Sequence, residues 1–162
     1  MAEPACTTWP ALVRNGAIEP DASRLFAPQP ALALPPDEPG WCLPLALWAP
    51  ERAALRGRRH PVGLVLTPAD ALPADLAHEA LAFIAIHFAA YTDGRGFSQA
   101  QLLRRAGWTG ELRATGDVLI DTVHYLARCG FDSFVPKPGH APERVLAALA
   151  GFSASYQRAY RF

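Results

Sequence analysis

The chain has 162 residues, with 15 basic and 15 acidic side chains and a formal net charge of zero. At 51% apolar and 19% charged it has the composition of an ordinary globular protein, and its length suits one domain, 1–162, with a core that needs neither disulfides nor a structural metal. Zero net charge argues against a general affinity for nucleic acid or an anionic membrane.

Proline is unevenly spread: 13 of the 16 fall at or before Pro73, and none lies between Pro73 and Pro136. Residues 1 to 42 read as a Pro-rich N-terminal arm, irregular or in short edge strands, because proline is excluded from central ladders and helix interiors. The βα core is expected over 43–162. Leu43 to Trp48 is a short apolar run, and Pro50-Glu51-Arg52 opens a helix that ends near Gly57. Val62 to Leu66 reads as a strand, a short helix follows Pro73, and the continuous apolar stretch Leu81 to Phe88 reads as a strand buried on both faces. Ser98 and Gln101 fit a capping box for a helix ending at Gly107. Glu111 to Thr115 is a strand, and Asp117 caps the helix that carries Leu119, Val123 and Leu126 and stops at Gly130. Phe131 to Val135 is a further strand. Pro142 then starts a last helix with Val145, Leu146, Leu149 and Phe152 along one stripe. Four to five such βα units imply an α/β fold with a mainly parallel sheet. An open sheet is the preferred form; a half-barrel that a second copy would complete, giving a homodimer, is the alternative.

Cys6, Cys42 and Cys129 form no C-x-x-C pair, which speaks for a reducing cytoplasm and against a zinc site. The opening Met1-Ala2-Glu3-Pro4 lacks the pattern of a secretory signal, and the apolar stretch from Ala80 to Tyr91 is too short to span a bilayer.

In parallel α/β folds ligands meet the loops that follow strand ends. The first such loop is Asp93-Gly94-Arg95-Gly96-Phe97-Ser98: two glycines permit close backbone approach, and Arg95 at a helix start offers donors to a small anion. The alternative is a glycine-rich connector with Arg95 paired to Asp93. Gln99 stands where a dinucleotide fingerprint needs its third glycine, and no Gly-Lys-Ser/Thr occurs. The second loop follows Arg113 and holds Asp117, with Asp121 one turn on; Asp117 either caps the helix or orients an arginine or a substrate. The third carries the only lysine, Lys137, beside His140; a solvated loop is its simplest reading. Cys129 and His87 read as structural residues. No metal site and no cofactor is indicated.

Asp93 to Ser98, Leu102-Leu103-Arg104, Gly110 to Ala114, Gly116 to Leu119 with Asp121, and Arg128-Cys129-Gly130-Phe131-Asp132 stand in one order. As a set they resemble a bacterial family of unknown function linked to a probable oxidoreductase of assimilatory sulfite reduction. The likeness is strong from about residue 60 to 135. It implies that Asp93, Arg95, Arg104, Glu111, Arg113, Asp117, Asp121 and Arg128 are the polar positions of interest. His87-Phe88-Ala89-Ala90-Tyr91 departs from the family's acidic-Phe-Pro-Lys-Phe, and Ile120 replaces an arginine. The expected function is a cytoplasmic oxidoreductase, or an accessory subunit, that binds a sulfur oxyanion between Arg95 and Arg113, with Arg104, Glu111, Asp121 and Arg128 in support. The alternatives are a non-catalytic docking partner of sulfite reductase and a half-barrel enzyme acting on a phosphorylated metabolite through Lys137.

Overall fold

A computed structural model of the chain describes residues 6–8, 11–28 and 33–151. Nine strands form one sheet: β1 (Cys6–Thr8), β2 (Leu12–Arg14), β3 (Ala17–Glu19), β4 (Arg24–Phe26), β5 (Trp41–Pro44), β6 (Gly63–Leu66), β7 (Ile84–Phe88), β8 (Leu112–Gly116) and β9 (Ser133–Phe134). Their spatial order is β1-β4-β5-β6-β7-β8-β9-β2-β3. Strands β4 to β9 run parallel, while β1, β2 and β3 join antiparallel at the two ends. Four helices accompany them: α1 (Leu45–Leu55), α2 (Arg95–Arg105), α3 (Val123–Arg128) and α4 (Pro142–Ala150), with 3₁₀ turns at Leu76–His78 and Ile120–Thr122.

The sheet is curled, and chain connectivity shows why. β4 and β3 are seven strand spacings apart in the order, about 34 Å if the sheet lay flat. Only Pro20 to Ser23 join Glu19 to Arg24, a connection that reaches at most about 17 Å. The ends must therefore approach each other, so the fold is the half-barrel form and not the flat open sheet. Residues 12–26 supply β2, β3 and β4, short strands of the kind expected for this stretch, which bring the two sides of the sheet together, with Pro20 in the link between β3 and β4.

Strand alternation divides the core. Leu64, Leu66, Ile84, Ile86, Phe88, Leu112 and Ala114 pack with Trp48, Leu55, Ala100, Leu103, Val123, Leu126 and Val145 of the helices. The opposite, concave face carries Cys42, Val65 and Ala85 beside Phe83. Buried polar residues Arg113, Thr115 and Ser133 continue that face on β8 and β9.

Three element starts differ from expectation. α1 begins at Leu45, leaving Pro50 inside the helix without an N–H to donate; the run Leu43 to Trp48 straddles a strand end and a helix start. α2 begins at Arg95, where the Asp93 carboxylate accepts the Arg95 backbone N–H at 3.1 Å, so Ser98 is not its cap. Asp117 lies before the 3₁₀ turn that leads into α3 and does not cap it. Phe152, expected on the stripe of the last helix, falls outside the described residues. No helix among the described residues is long and apolar enough to cross a membrane.

Candidate functional site

The two arginines expected to clamp one anion are separated by the length of the sheet. Arg113 is near the start of β8, paired in register with Ala85, whereas Gly116 at the strand's end pairs with Phe88. Three residues of strand place these positions about 10 Å apart. Arg113 therefore belongs to the N-terminal rim of the curled sheet, and Arg95 to the C-terminal rim.

At the N-terminal rim Arg113 is 4% exposed. Its Nη1 donates to both Asp21 carboxylate oxygens at 3.0 and 2.9 Å and to Ser23 Oγ at 2.8 Å, and its Nε donates to Glu111 at 2.8 Å. Its guanidinium lies 4.0 Å from the Phe83 ring centre. Glu111 also accepts from Ser133 Oγ and from Arg14, each at 2.8 Å. Arg113 is thus a tie between β8 and the link that curls the sheet, and not an anion clamp. Arg104 has a similar task elsewhere. It donates to the carbonyls of Gly130, Trp108 and Gly110 and to Asp132, stitching the end of α2 to the approach to β9. Asp121 is exposed in a 3₁₀ turn, and Arg128 sits in the last turn of α3.

Burial pushes Glu111 up, but the Arg113 charge and the hydrogen bonds from Ser133, Arg113 and Arg14 outweigh it and hold the carboxyl below its ordinary 4.5. A carboxylate lowered in the folded state stabilises the fold above its unfolded pKa, and that contribution is lost as pH falls through the folded one. Asp132, raised by burial, has the opposite sign. The stability gap between wild type and Glu111→Gln should be constant near neutrality and narrow below about pH 4.5, with a smaller opposing contribution through Asp132, whose rise the Glu111 charge partly causes. Urea midpoints across pH measure it, and a gap that stays open in acid contradicts the assignment.

The C-terminal rim gathers a different set. His87 and Ala85 share the concave face of β7, and Thr115 and Arg113 share that of β8. The His87 Nδ1 lies 3.2 Å from Thr115 Oγ1, in hydrogen-bond contact. Although the residue reaches the surface, its surroundings strip enough water from the ring to lower its pKa below 6.5. Just past the end of β8, Asp117 accepts the Tyr91 backbone N–H at 3.0 Å and the Lys137 ammonium at 2.6 Å. Those two contacts, Lys137 first, hold its carboxyl below the usual range, with a further contribution from His140. Lys137 is therefore an ion-paired side chain and not simply a solvated one.

Arg95 meets Asp93 through Nε at 3.0 Å and Nη2 at 2.8 Å, the connector pairing weighed from sequence. Its side chain is 65% exposed. Gly94 faces open space, whereas a Cβ on Gly96 would come within 2.4 Å of the Phe88 ring. Gly96 thus lets α2 pack on β7. Ser98 lies within α2. Of the expected set, the loops at this end of the strands carry Asp93, Arg95 and Asp117, and they also carry His87, Thr115, Tyr91, Lys137 and His140; the contacts among them are Arg95 with Asp93, His87 with Thr115, and Asp117 with Tyr91 and Lys137. Strand parity was the available signal for His87, since it shares a face with Ala85.

Cys42 and Cys129 are free and buried, and burial pushes the Cys42 thiol up to about 12. Among the described residues no group of three His, Cys, Asp or Glu side chains is placed to hold a metal ion.

Residues 63–161 match the model of a family described as bacterial protein of unknown function (DUF934). No curated protein and no solved structure matches the chain. The matched segment runs from β6 past α4 and contains the C-terminal rim residues from His87 to His140.

Proposed function

The chain belongs to this bacterial family of unknown function, and from that premise we propose that it is a cytoplasmic accessory protein of assimilatory sulfite reduction which binds a small oxyanion at its C-terminal rim. The link to sulfite reduction is supported by the family resemblance of the ordered motifs. The anion site is supported chiefly by the Lys137–Asp117 pair in the loops at the C-terminal end of the parallel strands, where His87 and Thr115 also lie. Lys137 gives one of its three donors to Asp117, and Arg95 leaves Nη1 outside its contacts with Asp93, so each retains N–H groups for an oxyanion. Both side chains are well exposed. An accessory role, docked on the reductase, suits the chain better than that of redox centre, because Cys42 and Cys129 are buried and Cys42 is held as a thiol.

A second reading, an enzyme acting on a phosphorylated metabolite, is favoured by the curled parallel sheet with Lys137 and His87 at its C-terminal rim. Isothermal titration with sulfite, sulfate and phosphate separates the two. The first reading expects sulfite or sulfate to bind best, and the second expects phosphate. In either case Lys137→Ala should weaken binding roughly tenfold or more, about 1.4 kcal/mol. No heat with any of the three would remove the anion site. Equal growth of a deletion strain on sulfate and on cysteine would remove the pathway assignment.

A further inference from the structure

The N-terminal rim encloses a cleft of about 300 Å³, large enough for a small organic ligand. Leu12, Trp41 and Phe83 give it apolar walls, and Arg14, Glu19 and Glu111 give it polar ones. Two N–H groups on these walls are buried without a hydrogen-bond partner among the described residues: Nε1 of Trp41, a residue only 3% exposed, and Nε of Arg14. A buried donor left unpaired is costly, and both nitrogens are closed to solvent as the walls stand, so an acceptor oxygen in the cleft meets them once the Trp41 and Arg14 side chains turn toward it. Nearby, Glu19 accepts from Arg14 Nη2 through Oε2 at 2.6 Å and has a side chain that is 39% exposed, leaving acceptor capacity toward solvent. The charged groups lining the cleft are two guanidiniums, Arg14 and Arg113, against three carboxylates, Glu19, Asp21 and Glu111. That balance opposes a simple anion, while the orphan donors are of no use to a simple amine.

We propose that this cleft binds a small zwitterion of the α-amino acid class. The carboxylate takes the Trp41 and Arg14 donors, the ammonium meets Glu19, and an apolar side chain lies along Leu12 and Phe83. The site is distinct from the C-terminal rim and stands or falls independently of it.

The indole N–H resonance of Trp41 in the full chain, assigned by its loss in Trp41→Phe, reports on this cleft alone. Leucine is the probe; isoamylamine and 4-methylpentanoate, which lack its carboxylate and its amine respectively, are the controls. Leucine should shift the resonance with a dissociation constant on the order of 1 mM, and each control should bind roughly tenfold more weakly. Glu19→Gln, folded as judged by an unchanged spectrum elsewhere, should weaken leucine by a similar factor. The proposal is overturned if no probe moves the resonance, if either control matches leucine, or if Glu19→Gln binds as wild type does.

Discussion

Replacing Arg113 with methionine will destabilise the protein by about 3–5 kcal/mol, seen as a lower urea midpoint with an unchanged slope. Methionine fills a similar volume and can still lie against Phe83, so the loss isolates the charge. Asp21 and Glu111 have side chains only 2% and 14% exposed, and each would lose its main cation. Glu111 would keep Arg14 and the Ser133 hydroxyl, but Asp21 would keep only Ser23 and no cation, and a carboxylate so desolvated penalises the folded state. The pairing spans 92 residues in sequence and joins the link between β3 and β4 to β8. Cutting it releases the connection that holds the two sides of the sheet together. The matching change at the opposite rim, Arg95→Ala, removes an exposed pair with Asp93 and should leave the midpoint nearly unchanged. A loss below about 1 kcal/mol for Arg113→Met would show that this network is not what holds the curl.

How far the fold was legible follows from which forces are local. Val62 to Leu66 and Leu81 to Phe88 announced β6 and β7 because a parallel strand covered on both faces must be apolar almost throughout. The curl was not legible. β2, β3 and β4 are three residues each, too short for a period to show, and their places in the sheet depend on pairings with β9 and β5 far along the chain. Arg113 illustrates the same limit: an arginine within a strand signals a buried partner, but nothing in the sequence identifies Asp21 as that partner. Ser98 failed for a local reason. Its capping box with Gln101 is genuine as a pattern, yet the Asp93 carboxylate reaches the Arg95 N–H first and the helix starts a turn earlier, leaving Gln101 to approach Cys129. His87 is hidden because Leu81 to Phe88 is apolar almost throughout, which masks the alternation that sends His87 to the concave side with Ala85.

Gly116→Ala should cost about 2–5 kcal/mol, combining left-handed backbone strain with overpacking, and should weaken anion binding at the C-terminal rim. Gly116 has φ +86, a conformation an alanine adopts only with strain. Its added Cβ would lie 2.2 Å from the Phe88 carbonyl oxygen and 2.9 Å from His87 Cε1. The carbonyl cannot retreat freely, because it accepts the Asp117 N–H at 2.8 Å, and that bond sets where Asp117 presents its carboxylate to Lys137. One methyl group therefore pushes on the His87 ring and on the anchor of Lys137 together. Gly94→Ala is the control: φ there is −64, no atom lies within 4 Å of the new Cβ, and alanine should be neutral or slightly stabilising. If Gly116→Ala unfolds at the same urea concentration as Gly94→Ala and binds anions as wild type does, then the close contact among Phe88, His87 and Gly116 does not organise this rim. Stability lost without any change in affinity would confine Gly116 to the fold and separate Lys137 from the backbone turn that positions Asp117.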